Sequence, residues 1–446
     1  MQTGTASVLV LLSACAASSP APTTPTEPVE EERPTLDARA DAMVRPLVDG
    51  ARVHGVVVAV RQGTESTIHA FGGVEPGAKL EIGSVTKVYT ALLLADAIER
   101  GEVAEDATIG DVYEGELPDA VGAITLRALA THSSGLPRLP SMDGSDTADP
   151  YAHFDDAHFW AALKSATVGA ATFGYSNFGA AILGQLLAAH LDQPYEALVR
   201  ERILEPLGMA DTGFDKDGLV AGHAFYGGDG GPWHLAAFEP AGGLVSTAAD
   251  QLRFLDAQLS PPDSALGRAI RRSQQTQAPT DSGAIAYGWM VSPAGIRWHN
   301  GQTGSFHAFL AFDPESELAV ALLADTAAME VDDAGRRLFE ALTGDDVEPP
   351  SWPLPRDVPS ELMARYEGSY QLAEGFVLTI TREGPQLFIQ ATGQDRFPVY
   401  PVGEAHRFEL RVTPASGTFE LPPTGPATGL TWSQGGRVTR APRVDP

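Results

Sequence analysis

The strongest constraint on the fold is an apolar helix that begins beside a Ser-x-x-Lys motif. Ser84 and Lys87 form this motif, and Gly101 follows as a stop signal. Apolar residues recur with helical spacing between Ser84 and Gly101: Val85, Val88, Tyr89, Leu92, Leu93, Leu94 and Ile98. Such a broad apolar face predicts a central, buried helix. Residues three apart are neighbours on a helix, so the lysine amine can reach the serine hydroxyl at the helix N-terminus.

The Ser-x-x-Lys motif allows a chemical and a structural interpretation. A hydroxyl beside an amine, at the positive end of a helix, suits an activated nucleophile. In the structural alternative, Ser84 is only a helix cap and Lys87 a solvated side chain. The chain has only four lysines: Lys79, Lys87, Lys164 and Lys216. A lysine at this spacing on a mostly apolar helix favours catalysis, but the motif alone leaves both interpretations open.

Two short polar motifs follow this helix. The sequence contains only two asparagines, Asn177 in Tyr175-x-Asn177 and Asn300 in His299-Asn300-Gly301. Taken alone, the first motif is a loop that caps a helix. The second, taken alone, is a strand-end histidine bonded to the backbone. Joined in order with the Ser-x-x-Lys motif, they supply a hydroxyl, an amine, a phenol and an amide, which together favour catalysis.

The three motifs in this order resemble the serine β-lactamase and DD-peptidase superfamily (penicillin-binding protein-like), closest to its class C β-lactamase and esterase-like branch. The resemblance covers about residues 36 to 343. Flanking matches lie at 131–137, 204–214, 242–250 and 309–314. It implies a serine hydrolase of the esterase, D-peptidase or β-lactamase class, without a cofactor or a metal. Such an enzyme cleaves an ester or amide, including D-amino-acid peptides or β-lactam-like substrates, through a Ser84 acyl-enzyme.

The resemblance also implies catalytic roles that agree with the chemistry of the side chains. Lys87 in a partly dry site has a lowered pKa and accepts the Ser84 proton. A neighbouring ammonium is expected to lower the pKa of Tyr175, which relays the proton to the leaving group and activates water. Asn177 is expected to orient Lys87 and to hold a substrate carbonyl.

The third motif is expected to bind substrate. Gly301 leaves room for a substrate against an edge strand. By analogy with the family, the backbone N–H groups of Ser84 and Gln302 form the oxyanion hole. Many penicillin-interacting members have lysine where this chain has His299. We therefore expect the charge of His299 to set the preference between neutral esters and substrates that carry a carboxylate.

Two other functions stay open. A member that acylates but does not hydrolyse would act as a penicillin-binding sensor. In a third interpretation, the C-terminal β-domain is the functional unit and binds an apolar ligand. His153 and His158 flank Asp155 and Asp156, a pattern that can hold a metal; a surface loop is the favoured interpretation.

The N-terminal segment predicts export. Its apolar run, residues 8–12, is too short to span a bilayer and suits a signal peptide, although residues 1–7 carry no Lys or Arg. Leu-Ser-Ala-Cys ends at Cys15, the only cysteine, and resembles a bacterial lipobox. We expect residues 1–15 to be a lipoprotein-type signal peptide lipidated at Cys15, which attaches the protein to the envelope (outer membrane or periplasm). An ordinary signal peptide with an incidental cysteine is the alternative.

The remaining chain predicts two folded parts. Residues 16–35 are expected to form a disordered Pro/Thr/Glu tether. Residues 36–345 are expected to adopt the hydrolase fold, α/β (α+β), with an antiparallel sheet flanked by helices and a helical subdomain. Residues 346–359 are a linker. Residues 360–446 form a small all-β domain, similar in outline to a lipocalin.

Charge limits the partners. The formal net charge of −28 disfavours binding to nucleic acid or to anionic lipid surfaces. A small-molecule or peptide substrate is the expected partner, and contact with a membrane is expected through the lipid anchor only. The sequence does not specify an oligomeric state.

Overall fold

The computed structural model describes residues 35–143, 149–224, 229–413 and 415–444. Its α-helices are α1 Leu36–Asp49, α2 Thr86–Glu99, α3 Ile109–Val112, α4 Asp119–Gly122, α5 Leu126–Ala130, α6 Asp156–Lys164, α7 Asn177–His190, α8 Tyr195–Val199, α9 Glu239–Gly242, α10 Ala248–Leu259, α11 Ala265–Ser273, α12 Glu330–Thr343 and α13 Ser360–Ala364. Short 3₁₀ turns cover Gly83–Val85 and Ala236–Phe238, and a π-turn covers Arg200–Leu204.

The strands up to residue 324 are β1 Gly55–Gln62, β2 Glu65–Gly72, β3 Leu80–Glu81, β4 Gly222–His223, β5 Asp229–Gly230, β6 Val245–Ser246, β7 Ala278–Thr280, β8 Gly283–Ile285, β9 Met290–Val291, β10 Arg297–Gln302, β11 His307–Asp313 and β12 Leu318–Ala324. Those that follow are β13 Gly368–Ala373, β14 Phe376–Glu383, β15 Gln386–Ala391, β16 Arg396–Pro401, β17 Arg407–Leu410, β18 Ala415–Glu420, β19 Gly429–Gln434 and β20 Arg437–Pro442.

An eight-stranded antiparallel sheet organises the larger part of the molecule, in the order β2-β1-β12-β11-β10-β9-β8-β7. Strand β1 is apolar on both faces, because it is covered on both. Val57 and Ala59 contribute to the core on one side of the sheet. Val56, Val58 and Val60 contribute to the core on the other side.

Helices cover both faces of this sheet, as predicted for an antiparallel sheet flanked by helices. Helices α1 and α12 pack on each other and cover one face. On the opposite side, α2 contacts α7, α9 and α11. Every residue of α2 from Thr86 to Ala97 is buried, which confirms the central helix predicted from its broad apolar face. Helix α1 is capped by Thr35, whose side chain accepts a hydrogen bond from the backbone N–H of Ala38.

The C-terminal part is an all-β barrel, as predicted. Strands β13 to β20 pair antiparallel, each with the next in the chain. A bridge between Tyr370 and Arg443 brings the first strand beside the last, so the sheet nearly closes. The interior is a separate apolar cluster that includes Ile380, Phe408 and Leu430. This topology removes most of the exposed strand edge.

Buried ions lie where the barrel meets the sheet domain. The junction ion cluster consists of Arg52, Glu330, Glu409 and Arg411. The Arg52 side chain is 5% exposed, with Nη1 2.6 Å from Glu409 Oε1 and 3.6 Å from Glu330 Oε1. Residues 346–359 contain no helix or strand among those described, but Pro355 bridges to Val402 in the barrel. The predicted linker therefore runs in contact with the domain that follows it.

Two predictions concern residues outside the described range. The predicted signal peptide with Cys15 lies outside the described residues, and so does the predicted tether at residues 16–35 except for its last residue, Thr35. In the part of the chain that the structure does describe, no helix has the length and apolar character needed to cross a bilayer.

Candidate active site

Ser84 lies in the short 3₁₀ turn that leads into α2, and two glycines hold this turn against β10. Gly83 has φ +49°, and a Cβ placed on it would lie 2.8 Å from Gln302 N. A Cβ on Gly301 would lie 1.9 Å from Ile82 O and 2.8 Å from Ser84 N. The glycines thus allow the backbones of Ser84 and Gln302 to lie side by side. Gly301 was predicted to leave space for substrate. The structure gives a further reason for glycine here, because a side chain would clash with the backbone of Ile82 and Ser84.

Lys87 is buried beside the Ser84 hydroxyl. Its side chain is 2% exposed, and Nζ lies 2.8 Å from Ser84 Oγ and 2.5 Å from the carbonyl oxygen of Ala241. Burial, and then the positive charge of Arg138, hold the pKa of Lys87 well below its usual value, in the predicted direction. A neutral amine at this distance can accept the proton of the hydroxyl.

Tyr175 faces the same pair, but its pKa moves opposite to the prediction. Lys87 Nζ lies 5.2 Å from the centre of the Tyr175 ring. Burial raises the pKa of Tyr175 to about 12, although a hydrogen bond with Ser84 and the charge of Arg138 lower it. The prediction failed because it assumed a charged ammonium and ignored desolvation, which disfavours the phenolate. Tyr175 therefore keeps its proton and is placed to donate it.

Asn177 begins α7 within reach of the cavity. Its Nδ2 donates to the Tyr151 hydroxyl at 3.1 Å, and its Oδ1 is buried without a hydrogen-bond partner among the described residues. The Ser176 side chain caps the helix, accepting from Gly179 N at 2.9 Å. The amide does not orient Lys87 as predicted; the two hydrogen bonds described for that amine go to Ser84 and to a backbone carbonyl. The unpartnered oxygen is available to a substrate N–H group.

Two buried histidines lie near the Tyr175 ring. The centre of the His132 ring is 4.5 Å from it and that of His299 is 6.1 Å from it. His299 is 1% exposed, and its Nδ1 lies 2.5 Å from Asn300 O. Burial, with a smaller contribution from Lys87, lowers the pKa of His299 to about 3. His299 is thus neutral near pH 7, and the residues that follow it, rather than its ring, form the cavity wall.

A cavity of about 940 Å³ opens above Ser84. Its side-chain lining includes Arg138, Leu139, Tyr151, Tyr175, Asn177, Trp233, Met290, Asn300, Gln302, Thr303, Ser305 and Met329. Of the described residues that line it, Arg138 is the one with a formal charge. Its Cζ lies 5.1 Å from the centre of the Tyr175 ring, and no acidic side chain pairs with it in the described ranges.

Arg138, Tyr151 and Trp233 line the cavity but were not predicted from the sequence. The signal for Arg138 was its position directly after the flanking match at 131–137, in a chain whose charge is mostly negative. Tyr151 and Trp233 carry no local motif. Trp233 is held by its backbone N–H, which donates to Glu81 Oε1 at 3.2 Å.

One edge of β10 is open beside Ser84. Strand β10 pairs with β11 from Arg297 to Gln302, but with β9 only at Arg297 and Trp298. From His299 onward, no described strand pairs with the β9 side. This edge is where the third motif is expected to hold an extended substrate.

The histidine and aspartate group considered in the sequence lies at the surface. His158 Nδ1 is 2.7 Å from Asp155 Oδ1, and both side chains are largely exposed. This arrangement agrees with the favoured interpretation of a surface loop.

Comparison with known proteins identifies relatives of the whole sheet domain. The Beta-lactamase family model matches residues 40–345. Penicillin-binding protein 4 of Amycolatopsis lactamdurans is 29% identical over 320 residues, covering 64% of this chain and 83% of the relative. The D-alanyl-D-alanine-carboxypeptidase/endopeptidase AmpH of Escherichia coli (strain K12) is 27% identical over 304 residues, covering 60% and 78%.

Structural similarity extends further along the chain. The octameric penicillin-binding protein homologue from Pyrococcus abyssi has a TM-score of 0.62 at 20% identity, over 91% of this chain and 99% of that chain. A match of this extent includes the C-terminal barrel as well as the sheet domain. At this level of identity, the likeness establishes the fold.

Proposed function

Because this chain belongs to the beta-lactamase family, we propose that it is a serine hydrolase that cleaves an ester or amide through an acyl-enzyme on Ser84. One observation carries the proposal. The Lys87 amine is buried, its pKa is lowered, and it lies 2.8 Å from Ser84 Oγ. A neutral amine in this position supports proton abstraction from a hydroxyl that opens onto a cavity.

The first step forms the acyl-enzyme. Ser84 Oγ attacks the substrate carbonyl while its proton passes to Lys87 Nζ. The carbonyl oxygen becomes negative, and the adjacent backbone N–H groups of Ser84 and Gln302 are proposed to stabilise it. Their closeness depends on Gly83 and Gly301, which allow the turn and β10 to approach each other.

The second step releases the leaving group. Tyr175 is protonated, with a pKa of about 12, and is proposed to give its proton to the departing nitrogen or oxygen. The protonated amine of Lys87 then restores the proton on Tyr175. Water then attacks the acyl-enzyme ester: Tyr175 takes a proton from the water as it passes its own proton to the neutral Lys87 amine. The Lys87 ammonium returns a proton to Ser84 Oγ as the acid product leaves.

Arg138 supports a substrate that carries a carboxylate. A guanidinium without an acidic partner can form charge-assisted hydrogen bonds with a carboxylate. The relative from Escherichia coli is named a D-alanyl-D-alanine-carboxypeptidase/endopeptidase. A carboxypeptidase substrate ends in a free C-terminal carboxylate. We therefore propose that Arg138 recognises the substrate carboxylate. The sequence had suggested His299 for this role, but His299 is buried and neutral.

Labelling tests the acyl-enzyme. A fluorophosphonate or fluorescent penicillin should label the wild-type chain, and nitrocefin, p-nitrophenyl esters and D-alanyl peptides should reveal turnover. Ser84→Ala should abolish labelling and turnover together. Ser133→Ala, at a half-buried serine outside the cavity lining, is the control and should keep both. Wild-type turnover in Ser84→Ala would exclude the mechanism.

The persistence of the label separates the hydrolase from a second function. Rapid loss of label, with release of product, supports the hydrolase. A label that persists for hours with no turnover of any substrate would instead support a penicillin-binding sensor. The name of the Amycolatopsis lactamdurans relative, a penicillin-binding protein, motivates this second candidate.

We further propose that the protein is exported and anchored at Cys15. The proposal rests on the lipobox-like Leu-Ser-Ala-Cys sequence. Metabolic labelling with a palmitate analogue should mark the wild-type protein but not Cys15→Ser. Absence of label on the wild-type protein would contradict the lipid anchor and support an ordinary secreted enzyme.

A further inference from the structure

Two imidazoles and one carboxylate converge outside the catalytic centre. They are His54, just before β1, His223 in β4, and Asp325, just after β12. Their potential ligand atoms all lie within 4.8 Å of one another. His54 Nδ1 is 2.8 Å from Asp325 Oδ2, and His223 Nε2 is 3.9 Å from the same oxygen. The two imidazole rings lie 4.3 Å apart between centres.

The carboxylate is held so that one oxygen faces the histidines. Asp325 is 1% exposed. Its Oδ1 accepts from Gly55 N at 2.7 Å and from Thr326 Oγ1 at 3.0 Å. The other oxygen, Oδ2, is left to the imidazoles. Hydrogen bonds of this kind orient the carboxylate ligand in metal sites.

The backbone positions of all three residues are also tied together. His54 N donates to Thr326 Oγ1 at 2.9 Å. His223 N donates to Asp325 O at 2.7 Å, and Asp325 N donates to Gly55 O at 3.1 Å. Three segments that are distant in sequence are thus held in register without help from the two imidazole rings. The arrangement is preorganised, so little chain entropy is lost when a ligand joins the side chains.

We propose that His54, His223 and Asp325 form a binding site for one Zn²⁺ ion. Two imidazole nitrogens and one carboxylate oxygen are ligands that Zn²⁺ accepts, with bonds of about 2.0–2.2 Å and an open fourth position for water. Ligand atoms around such an ion are about 3–4 Å apart. The 3.9 Å separation of His223 Nε2 from Asp325 Oδ2 lies in this range, and the 2.8 Å separation of His54 Nδ1 is slightly shorter. The ion takes the place of the hydrogen bond between His54 Nδ1 and Asp325 Oδ2, and a small movement of the exposed His54 ring completes the site.

The site lies at the margin of the active-site cavity. His223 is followed by Ala224, and Asp325 is separated from Ala327 by one residue; both alanines line the cavity. A bound ion joins β4 to the ends of β1 and β12, and so braces this wall. The proposal does not depend on the acyl-enzyme, since none of the three ligands contacts Ser84 or Lys87 in the described structure.

Calorimetry on the untagged full chain tests the site. Zinc chloride, titrated into protein freed of metal by a chelator, should give saturable binding of one equivalent and raise the unfolding temperature. His54→Gln and His223→Gln should each weaken binding by about tenfold or more. Magnesium and calcium should not compete, because these hard cations prefer oxygen ligands.

His69→Gln is the matched control. His69 Nε2 lies 2.9 Å from Asp37 Oδ1, a comparable pair with one imidazole and an exposed carboxylate. This variant should bind zinc as the wild type does. Absence of saturable binding by folded wild type, or equal binding by wild type, His54→Gln and His223→Gln, would overturn the proposal. X-ray absorption at the zinc edge should show two histidine ligands; a spectrum without them would also refute the site.

Discussion

The active-site cavity and the junction ion cluster both bury basic side chains, but in different electrostatic surroundings. In the cavity, Lys87 is buried beside Ser84 and has no acidic partner in the described structure, so its pKa is lowered. At the junction, Arg52 is also buried, but Glu409 and Glu330 surround it. Desolvation penalises a charge in both places, and only the junction supplies opposite charges that offset the penalty.

The comparison shows what a missing partner does. An acidic group beside Lys87 would keep the amine protonated and unable to accept the Ser84 proton. Its absence favours reactivity. Removing a partner at the junction would instead leave a buried charge uncompensated, so pairing there serves to hold two parts of the molecule together.

The largest expected effect on stability comes from breaking the junction. Arg52→Ala leaves Glu409 and Glu330 without their main partner, and we expect a loss of about 3–5 kcal/mol in the free energy of unfolding. Denaturant unfolding measures it. Arg45→Ala, which removes an exposed pair with Asp41, should cost less than about 1 kcal/mol. Equal losses in the two variants would show that the buried cluster does not hold the domains.

In the cavity, Tyr175→Phe should lower kcat/KM by about two decades or more, because the ring stays and the proton donor is lost. Steady-state kinetics with an ester measures the change. Tyr151→Phe removes a phenol that accepts from Asn177 and has no assigned part in proton transfer; it should retain activity within about tenfold. A loss below threefold in Tyr175→Phe would exclude its phenol as the proton donor.

The positive charge of Arg138, which no described acidic side chain pairs, should set substrate preference. Arg138→Gln is expected to lower kcat/KM for a carboxylated substrate by about one to two decades relative to its methyl ester, as expected for a lost charge-assisted bond. The ratio of the two values is the measurement. His299→Gln should leave this ratio unchanged, since His299 is neutral. If the kcat/KM ratio changes in His299→Gln but not in Arg138→Gln, then His299 and not Arg138 recognises the substrate charge.

The smallest effect concerns acid stability. Folded His299 has a pKa of about 3, against an ordinary value of about 6.5 in the unfolded chain. Between these values the unfolded state binds a proton that the folded state does not, so stability is lost as pH falls from about 6.5 towards 3. His299 alone should account for about 2 kcal/mol by pH 5.

Unfolding of wild type and His299→Gln at pH 7 and pH 5 measures this contribution. The loss of stability between the two pH values should be smaller in the variant. His158→Gln, at an exposed histidine, serves as the control and should lose as much as the wild type. The idea fails if His299→Gln and wild type lose the same amount.

Much of the fold was predictable because its signals are local. The broad apolar face of α2, the spacing of Ser84 and Lys87, and the short alternating strands of the barrel are all patterns within about fifteen residues. The order of the three motifs indicated the family. Through that resemblance it predicted that Tyr175 and the β10 segment lie in the same site as Ser84. Strand β9 covers only Met290–Val291, because residues 287–289 turn against α2 and α5 before it.

The sequence by itself determined which side chains are present and which helix carries Ser84 and Lys87. Only the tertiary structure decided how these groups behave. The raised pKa of Tyr175, the lowered pKa of His299 and the unpaired charge of Arg138 depend on burial and on partners that come from distant segments. Desolvation and pairing are properties of the assembled surroundings, so residue type and spacing do not reveal them.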